Sequence, residues 1–185
     1  IKSCRKRCQS APDCGRRATG HSLNRGFAIP VPDPRIKEPL MPLPSQITCR
    51  DIAQTNAFAA ELAKVLRVGD VVLLDGPIGA GKTHFVRALA SAMGSNDNVT
   101  SPTYTIMHVY ETDRGQLLHL DAYRLSGVAE YRDLGIDDLA PEAITVVEWG
   151  GTVAAAHPEH LMIEFRIVDG DDNARELLLS GIGQR

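Results

Sequence analysis

Residues 71–83 read Val71-Val72-Leu73-Leu74-Asp75-Gly76-Pro77-Ile78-Gly79-Ala80-Gly81-Lys82-Thr83, and this stretch decides the fold. Its first four side chains are apolar without alternation, the composition of a strand buried on both faces of a sheet. Residues 76–83 then fit G-x-x-x-x-G-K-[ST], a phosphate-binding loop, between a strand and a helix as that pattern requires. In a chain of 185 residues with 16 glycines, a chance match is expected about 0.004 times. Glycines let backbone N–H groups turn inward toward phosphate oxygens, and the N-terminus of the next helix adds partial positive charge. Lys82 would reach the β and γ phosphates, and the Thr83 hydroxyl would bind Mg²⁺. The helix opening at Lys82 carries Phe85, Leu89 and Met93 at i, i+4 and i+8 and stops at Gly94. Guanine-specific loops read their base with N/T-K-x-D; none of Lys2, Lys6, Lys37, Lys64 and Lys82 stands in that setting, so the nucleotide expected is ATP.

Upstream, residues 47–50 are a short strand candidate, and residues 55–66 place Phe58, Leu62, Val65 and Leu66 on one face of an amphipathic helix. Gly69-Asp70 is a turn. A phosphate loop alone hydrolyses nothing, because the metal needs an acid and the attacking water needs orienting. Two downstream strands supply acids: Leu117-Leu118-His119-Leu120 runs into Asp121, and Ile144-Thr145-Val146-Val147 into Glu148. In open α/β sheets the carboxyl ends of strands form the ligand crevice, so either acid could face Mg²⁺; the alternative is a helix cap or surface acid. Residues 161–168 and 174–180 are apolar-rich and joined by Asp169-Gly170-Asp171-Asp172-Asn173, which reads as a solvated hairpin turn rather than a metal site. The fold class expected is α/β, a P-loop NTPase-type single domain with a mixed, largely parallel central sheet flanked by helices.

The net charge of −3 conceals a cancellation. Residues 1–44 hold nine Lys or Arg against three acids, for +6, while residues 45–185 hold 11 basic and 20 acidic side chains, for −9. Seven of the 11 prolines and three of the four cysteines also lie in 1–44. Few large apolar residues, no helical or strand period and a Pro-rich run over 30–44 predict a disordered or loosely attached basic tail over 1–44 before a P-loop ATPase domain over 45–185. Cys4, Cys8, Cys14 and His21 have spacings of three, five and six that match no usual zinc pattern. An Arg-rich organellar presequence is disfavoured by the prolines, and Ile1 leaves an upstream extension open. With no apolar run near the roughly 20 residues of a membrane span, the expectation is a cytoplasmic protein with no membrane contact.

Five segments in order carry a resemblance: 76–83, Val99-Thr100-Ser101-Pro102-Thr103-Tyr104, His119-Leu120-Asp121-Ala122-Tyr123-Arg124-Leu125, Leu134-Gly135 and Glu148-Trp149. Over roughly residues 45–168 the chain resembles the TsaE-like (YjeE-like) ATPases of bacterial tRNA threonylcarbamoyladenosine synthesis. The resemblance implies Mg²⁺ held by Thr83 and Glu148, with Asp121 as the acid of a Walker-B-like strand in or beside the metal shell. It makes Lys82, Asp121 and Glu148 the catalytic set. Nucleotide contacts are implied for Gly79, Ala80, Gly81, Lys82, Thr83 and adjoining His84, for Thr55 and its neighbours on the base side, and for Thr103 in a switch-type loop. Arg124 and Trp149 match positions near the site; the plainer readings are an Arg124–Asp121 ion pair and a packing role for Trp149. His119 matters only within its motif, and His84, His108, His157 and His160 have no spacing of their own that points to a ligand. Pro77-Ile78, Ala122 and Gly150-Gly151 depart from the usual pattern without removing a phosphate or metal ligand.

The function expected is ATP hydrolysis, weak alone, that signals to TsaD-like and TsaB-like partners rather than phosphorylating a substrate. tRNA would be reached only through those partners, since a −9 domain is poorly suited to hold nucleic-acid phosphates. The alternatives are a P-loop small-molecule kinase, which would need an acceptor pocket and usually an Arg-rich lid, and a nucleotide-gated binding module without useful hydrolysis.

Overall fold

The computed structural model describes residues 44–182. Apart from Pro44, the expected tail with Cys4, Cys8, Cys14 and His21 lies outside them. Along the chain come β1 (Gln46–Cys49), α1 (Ile52–Val65), β2 (Val71–Asp75), α2 (Lys82–Ala92), β3 (Met107–Thr112), β4 (Gly115–Asp121), α3 (Val128–Arg132), α4 (Ile136–Leu139), β5 (Ala143–Glu148), β6 (His160–Val168) and β7 (Asp171–Ile182). Short 3₁₀ turns at Ala140–Glu142 and Gly150–Ala156 flank β5. The strands form one mixed sheet in the order β1-β7-β6-β2-β5-β4-β3. Its centre, β6-β2-β5-β4, is parallel, and the pairings outside it are antiparallel.

The central strands alternate their side chains between two apolar layers. Val72 and Leu74 of β2 join Ile144 and Val146 of β5 under α1 and α2, against Leu62, Phe85, Val86 and Leu89. Val71, Leu73 and Val147 face the other way, toward Tyr131 of α3, Ile136 of α4 and Val153. This is why β2 and β5 read as unbroken apolar runs: both faces are covered. Phe85 locks α2 in place, its ring 5.7 Å from Phe58 of α1 and 5.6 Å, edge-on, from Phe165 of β6.

Element boundaries differ from expectation where side chains cap or edges are half-wet. The first helix starts at Ile52 rather than 55, because the Asp51 carboxylate accepts from the Gln54 N–H at 2.8 Å and the Gln54 side chain accepts from the Arg50 N–H at 3.0 Å. The edge strand β3 was not anticipated; it buries Tyr110 and leaves Val109 and Glu111 exposed. A Cβ at Gly76 would overlap the Phe165 carbonyl, so β6 fixes how closely the loop of residues 76–81 leaves the sheet. Phe85→Ala is expected to cost about 3–5 kcal/mol. Urea unfolding measures it, and a loss well below this would mean that the two aromatic contacts do not anchor α2.

Candidate functional site

Parallel pairing of β4 with β5 sets Asp121 directly beside Glu148, and pairing of β5 with β2 sets Glu148 beside Leu74. The two acids therefore share one row at the strand ends, where the loop of residues 76–81 leads into α2. Gly79 and Gly81 take left-handed backbone (φ +78° and +104°), and Gly81 is the N-cap of α2. The first-turn N–H groups of a helix have no partner within it, so those of α2 add to the donors of the loop.

Around this point lies a cavity of about 450 Å³, lined by the loop from Ile78 to His84, by Ser101 and Thr103, and by Asp121, Tyr123, Glu148 and Trp149. That volume is in the range of small-ligand sites. Four titratable groups here are deeply buried: Lys82 is 5% exposed, Asp121 4%, Glu148 4% and His119 0%. Each is held by named partners. The Thr83 hydroxyl donates to Glu148 across both oxygens, at 2.8 Å to Oε1 and 3.0 Å to Oε2. His119 Nε2 lies 2.9 Å from Glu148 Oε1, while its Nδ1 is buried with no hydrogen-bond partner. Asp121 accepts from the Thr103 hydroxyl at 2.6 Å and from the Tyr123 N–H at 2.9 Å.

Lys82 bends over its own loop. Its ammonium donates to the carbonyls of Gly76 (2.6 Å) and Pro77 (3.0 Å) and stands 3.8 Å from the centre of the Trp149 ring, a cation–π contact. Burial pulls its pKa below the usual lysine value, and the charges of Glu148, Asp75 and Asp121 oppose that fall. Trp149 is itself held at φ +59° and packs 5.0 Å from the Tyr123 ring. Left-handed backbone at a non-glycine residue costs about 1–2 kcal/mol, as does Ile106 at φ +70° where the 101–106 segment rejoins the sheet.

Of the residues singled out from the sequence, Gly79, Ala80, Gly81, Lys82, Thr83, His84, Thr103, Asp121, Glu148 and Trp149 meet in this cavity. Thr55 and Arg124 do not line it. Thr55 is buried, its hydroxyl 3.3 Å from the Asp51 carbonyl; the adjacent Asn56 instead reaches the site through His84 Nε2 at 2.7 Å. Arg124 is exposed on the turn before α3, its charge felt at Glu130, and the ion pair with Asp121 does not form. Sequence reading passed over Ser101, Tyr123 and Ile78 as cavity residues and gave His119 no separate role. The first three lie within the quoted motif segments at positions given no role of their own, and His119 is two residues, one full strand repeat, before Asp121.

Whether Mg²⁺ suits these side chains is a question of donor chemistry. No group of three or more His, Cys, Asp or Glu able to hold a metal is found among the described residues. A small hard cation bound through one or two carboxylates, a hydroxyl and the substrate's own phosphates needs no such cage, and Thr83, Glu148 and Asp121 offer oxygen donors of that type. The donor set fits the ion.

The family described as threonylcarbamoyl adenosine biosynthesis protein TsaE matches residues 49–177. A Streptomyces coelicolor protein named tRNA threonylcarbamoyladenosine biosynthesis protein TsaE is 42% identical over 130 residues, covering 67% of this chain and 88% of its own. The protein of the same name from Bacillus subtilis is 33% identical over 133 residues, covering 71% and 82%. The crystal structure of Bacillus subtilis YdiB superposes with a TM-score of 0.63 at 29% identity, covering 75% of this chain and 85% of that one.

The Thr103–Asp121 bond ties the 101–106 segment to the end of β4. Thr103→Val is expected to raise amide exchange in that segment about tenfold, the loss of one charge-assisted hydrogen bond. Exchange followed by mass spectrometry checks this, with β4 and β5 unchanged; equal exchange in both proteins would show that the segment is held by other contacts.

Proposed function

This chain belongs to the TsaE family, which is involved in tRNA threonylcarbamoyladenosine biosynthesis, and from that premise we propose that its cleft binds Mg-ATP and hydrolyses it. The observation that carries the reading is the meeting of the Thr83 hydroxyl with both oxygens of Glu148, beside the Lys82 ammonium, at the N-terminus of α2. A hydroxyl from the loop and an acid from a strand end, 65 residues apart, come together where a nucleotide's terminal phosphates would lie.

In this mechanism the loop N–H groups and the N-terminus of α2 hold the β and γ phosphates. Lys82 leaves the carbonyls of Gly76 and Pro77 for the phosphate oxygens, exchanging neutral acceptors for charged ones. Thr83 and Glu148 would hold Mg²⁺, with Asp121 in or beside its shell; the ion would neutralise charge developing between the β and γ phosphates. His119 fixes the Glu148 carboxylate from behind. Thr103, bonded to Asp121, places the 101–106 segment where it can respond to the γ phosphate. Water attacks the γ phosphorus in line, and the P–O bond to ADP breaks.

Hydrolysis serves partners in this reading. TsaD-like and TsaB-like subunits would carry out the transfer to tRNA adenosine, and tRNA would contact them rather than the −9 region over 45–185. No helix among the described residues is long and apolar enough to cross a membrane. A kinase reading finds little support: Arg132, the cation of the short helices after Tyr123, pairs with Asp137 at 3.5 Å instead of forming a lid over the cavity.

The test is phosphate release from ATP by this protein alone, then with TsaB-like and TsaD-like proteins and tRNA. Release without any phosphorylated acceptor, stimulated in the mixture, is expected. Lys82→Ala should abolish it, and Glu148→Gln should lower kcat by about 100-fold. Equal rates in Lys82→Ala and the wild type contradict the assignment. Full tRNA modification with Glu148→Gln would favour a nucleotide-gated module without useful hydrolysis.

A further inference from the structure

A phosphate-binding loop works only if its N–H groups face inward, which turns its carbonyls outward and leaves them to be satisfied from behind. In this chain the two glycines on either side of Ala80 are left-handed, and a Cβ built on either would meet nothing within 4 Å. Side-chain packing therefore does not hold these two glycines; the Ala80 N–H donates back to the Pro77 carbonyl at 3.2 Å and the Gly81 carbonyl accepts from the Phe85 N–H at 2.9 Å, and neither bond touches the peptide between Ala80 and Gly81.

Arg175 supplies the missing constraint. It lies on β7, in register with Cys49 of β1 and Ile167 of β6, four residues after the strand begins. Its Nε donates to the Ala80 carbonyl at 2.9 Å and its Nη2 to the Gly79 carbonyl at 3.4 Å. One planar edge of the guanidinium thus spans two successive carbonyls of the loop. The other nitrogen, Nη1, donates to the carbonyls of Asp172 and Ala174, each at 2.7 Å, which holds the guanidinium against its own hairpin. The side chain is anchored at one end and grips the loop at the other. A lysine ammonium has no rigid fork and cannot reproduce the pair of parallel contacts.

We infer that Arg175 is a positioning residue for phosphate binding: by fixing the Ala80 carbonyl outward from the strand β7, with the Gly79 carbonyl beside it, it keeps the N–H of the Ala80–Gly81 peptide turned toward the phosphates. The inference rests on the reading of this loop as an ATP site. Arg175 touches the back of the loop, so its effect reaches the phosphates through peptide orientation.

The experiment uses the full chain, with Arg175→Lys and Arg175→Met, and measures calorimetrically the binding of Mg-ATP and of tripolyphosphate, which probes the phosphate cradle without a base. Both variants are expected to bind both probes about tenfold more weakly, the effect of losing one charge-assisted contact. The thermal midpoint of the nucleotide-free protein is expected to stay within about 2 °C. Amide exchange in residues 76–83 should quicken in the nucleotide-free variants, a readout that does not depend on ATP. If Arg175→Met fails to fold, Arg175→Lys carries the test. Unchanged affinity with faster exchange confined to residues 168–175 overturns the inference, because Arg175 would then only close its hairpin. A loss of affinity matched by a general loss of stability also overturns it. Absence of ATP binding in the wild type would fell the ATP reading and this inference together, whereas wild-type binding with equal binding by the variants removes this inference alone.

Discussion

The structure depends on the parallel register of β2, β5 and β4. Because Leu74, Glu148 and Asp121 occupy one row across three neighbouring strands, the ends of those strands arrive together, and the loop leaving β2 has two carboxylates beside it. A shift of one residue in β5 would turn Glu148 to the opposite face and bring Val147 into its place. The apolar layers on both faces of the sheet prevent that shift, since Val146 and Val147 belong to different cores. Packing thus sets the geometry of the polar site.

The site is correspondingly expensive. One ammonium and two carboxylates are withdrawn from water, and such charges persist only when hydrogen bonds and opposite charges compensate them. Glu148 is compensated by Thr83 and His119, Asp121 by Thr103 and the Tyr123 N–H, and Lys82 by two loop carbonyls and the Trp149 ring. Backbone strain at Ile106 and Trp149 lies in the segments that carry those partners. A region with this much buried charge and strain persists because the surrounding core holds it in place.

Much of this was legible in the sequence because it follows from short-range pattern. The loop of residues 76–83, the buried strand before it and the two acids at strand ends each announce themselves locally, and strand-end geometry predicts that they converge. What sequence reasoning missed depends on side-chain direction and on long separations. Thr55 is buried on α1 with its hydroxyl at the Asp51 carbonyl, and its exposed neighbour Asn56 is the residue that reaches His84. Arg124, one residue beyond a cavity-lining tyrosine, is carried outward by the turn. Edge strand β3 escaped notice because its exposed positions interrupt any apolar run. Arg175 contacts residues 95 and 96 positions earlier, and nothing in its immediate sequence distinguishes it from a surface arginine on a hairpin.

Trp149 is the chain's single tryptophan, and its ring covers Lys82 inside the cleft. Its fluorescence is therefore a direct report on whether nucleotide displaces that lysine from its resting contacts. In an equilibrium titration with ATP, the account predicts a saturable change in Trp149 emission that weakens when EDTA removes Mg²⁺ and disappears in Lys82→Ala. An emission that stays flat to millimolar ATP, or an identical response in Lys82→Ala, would contradict it.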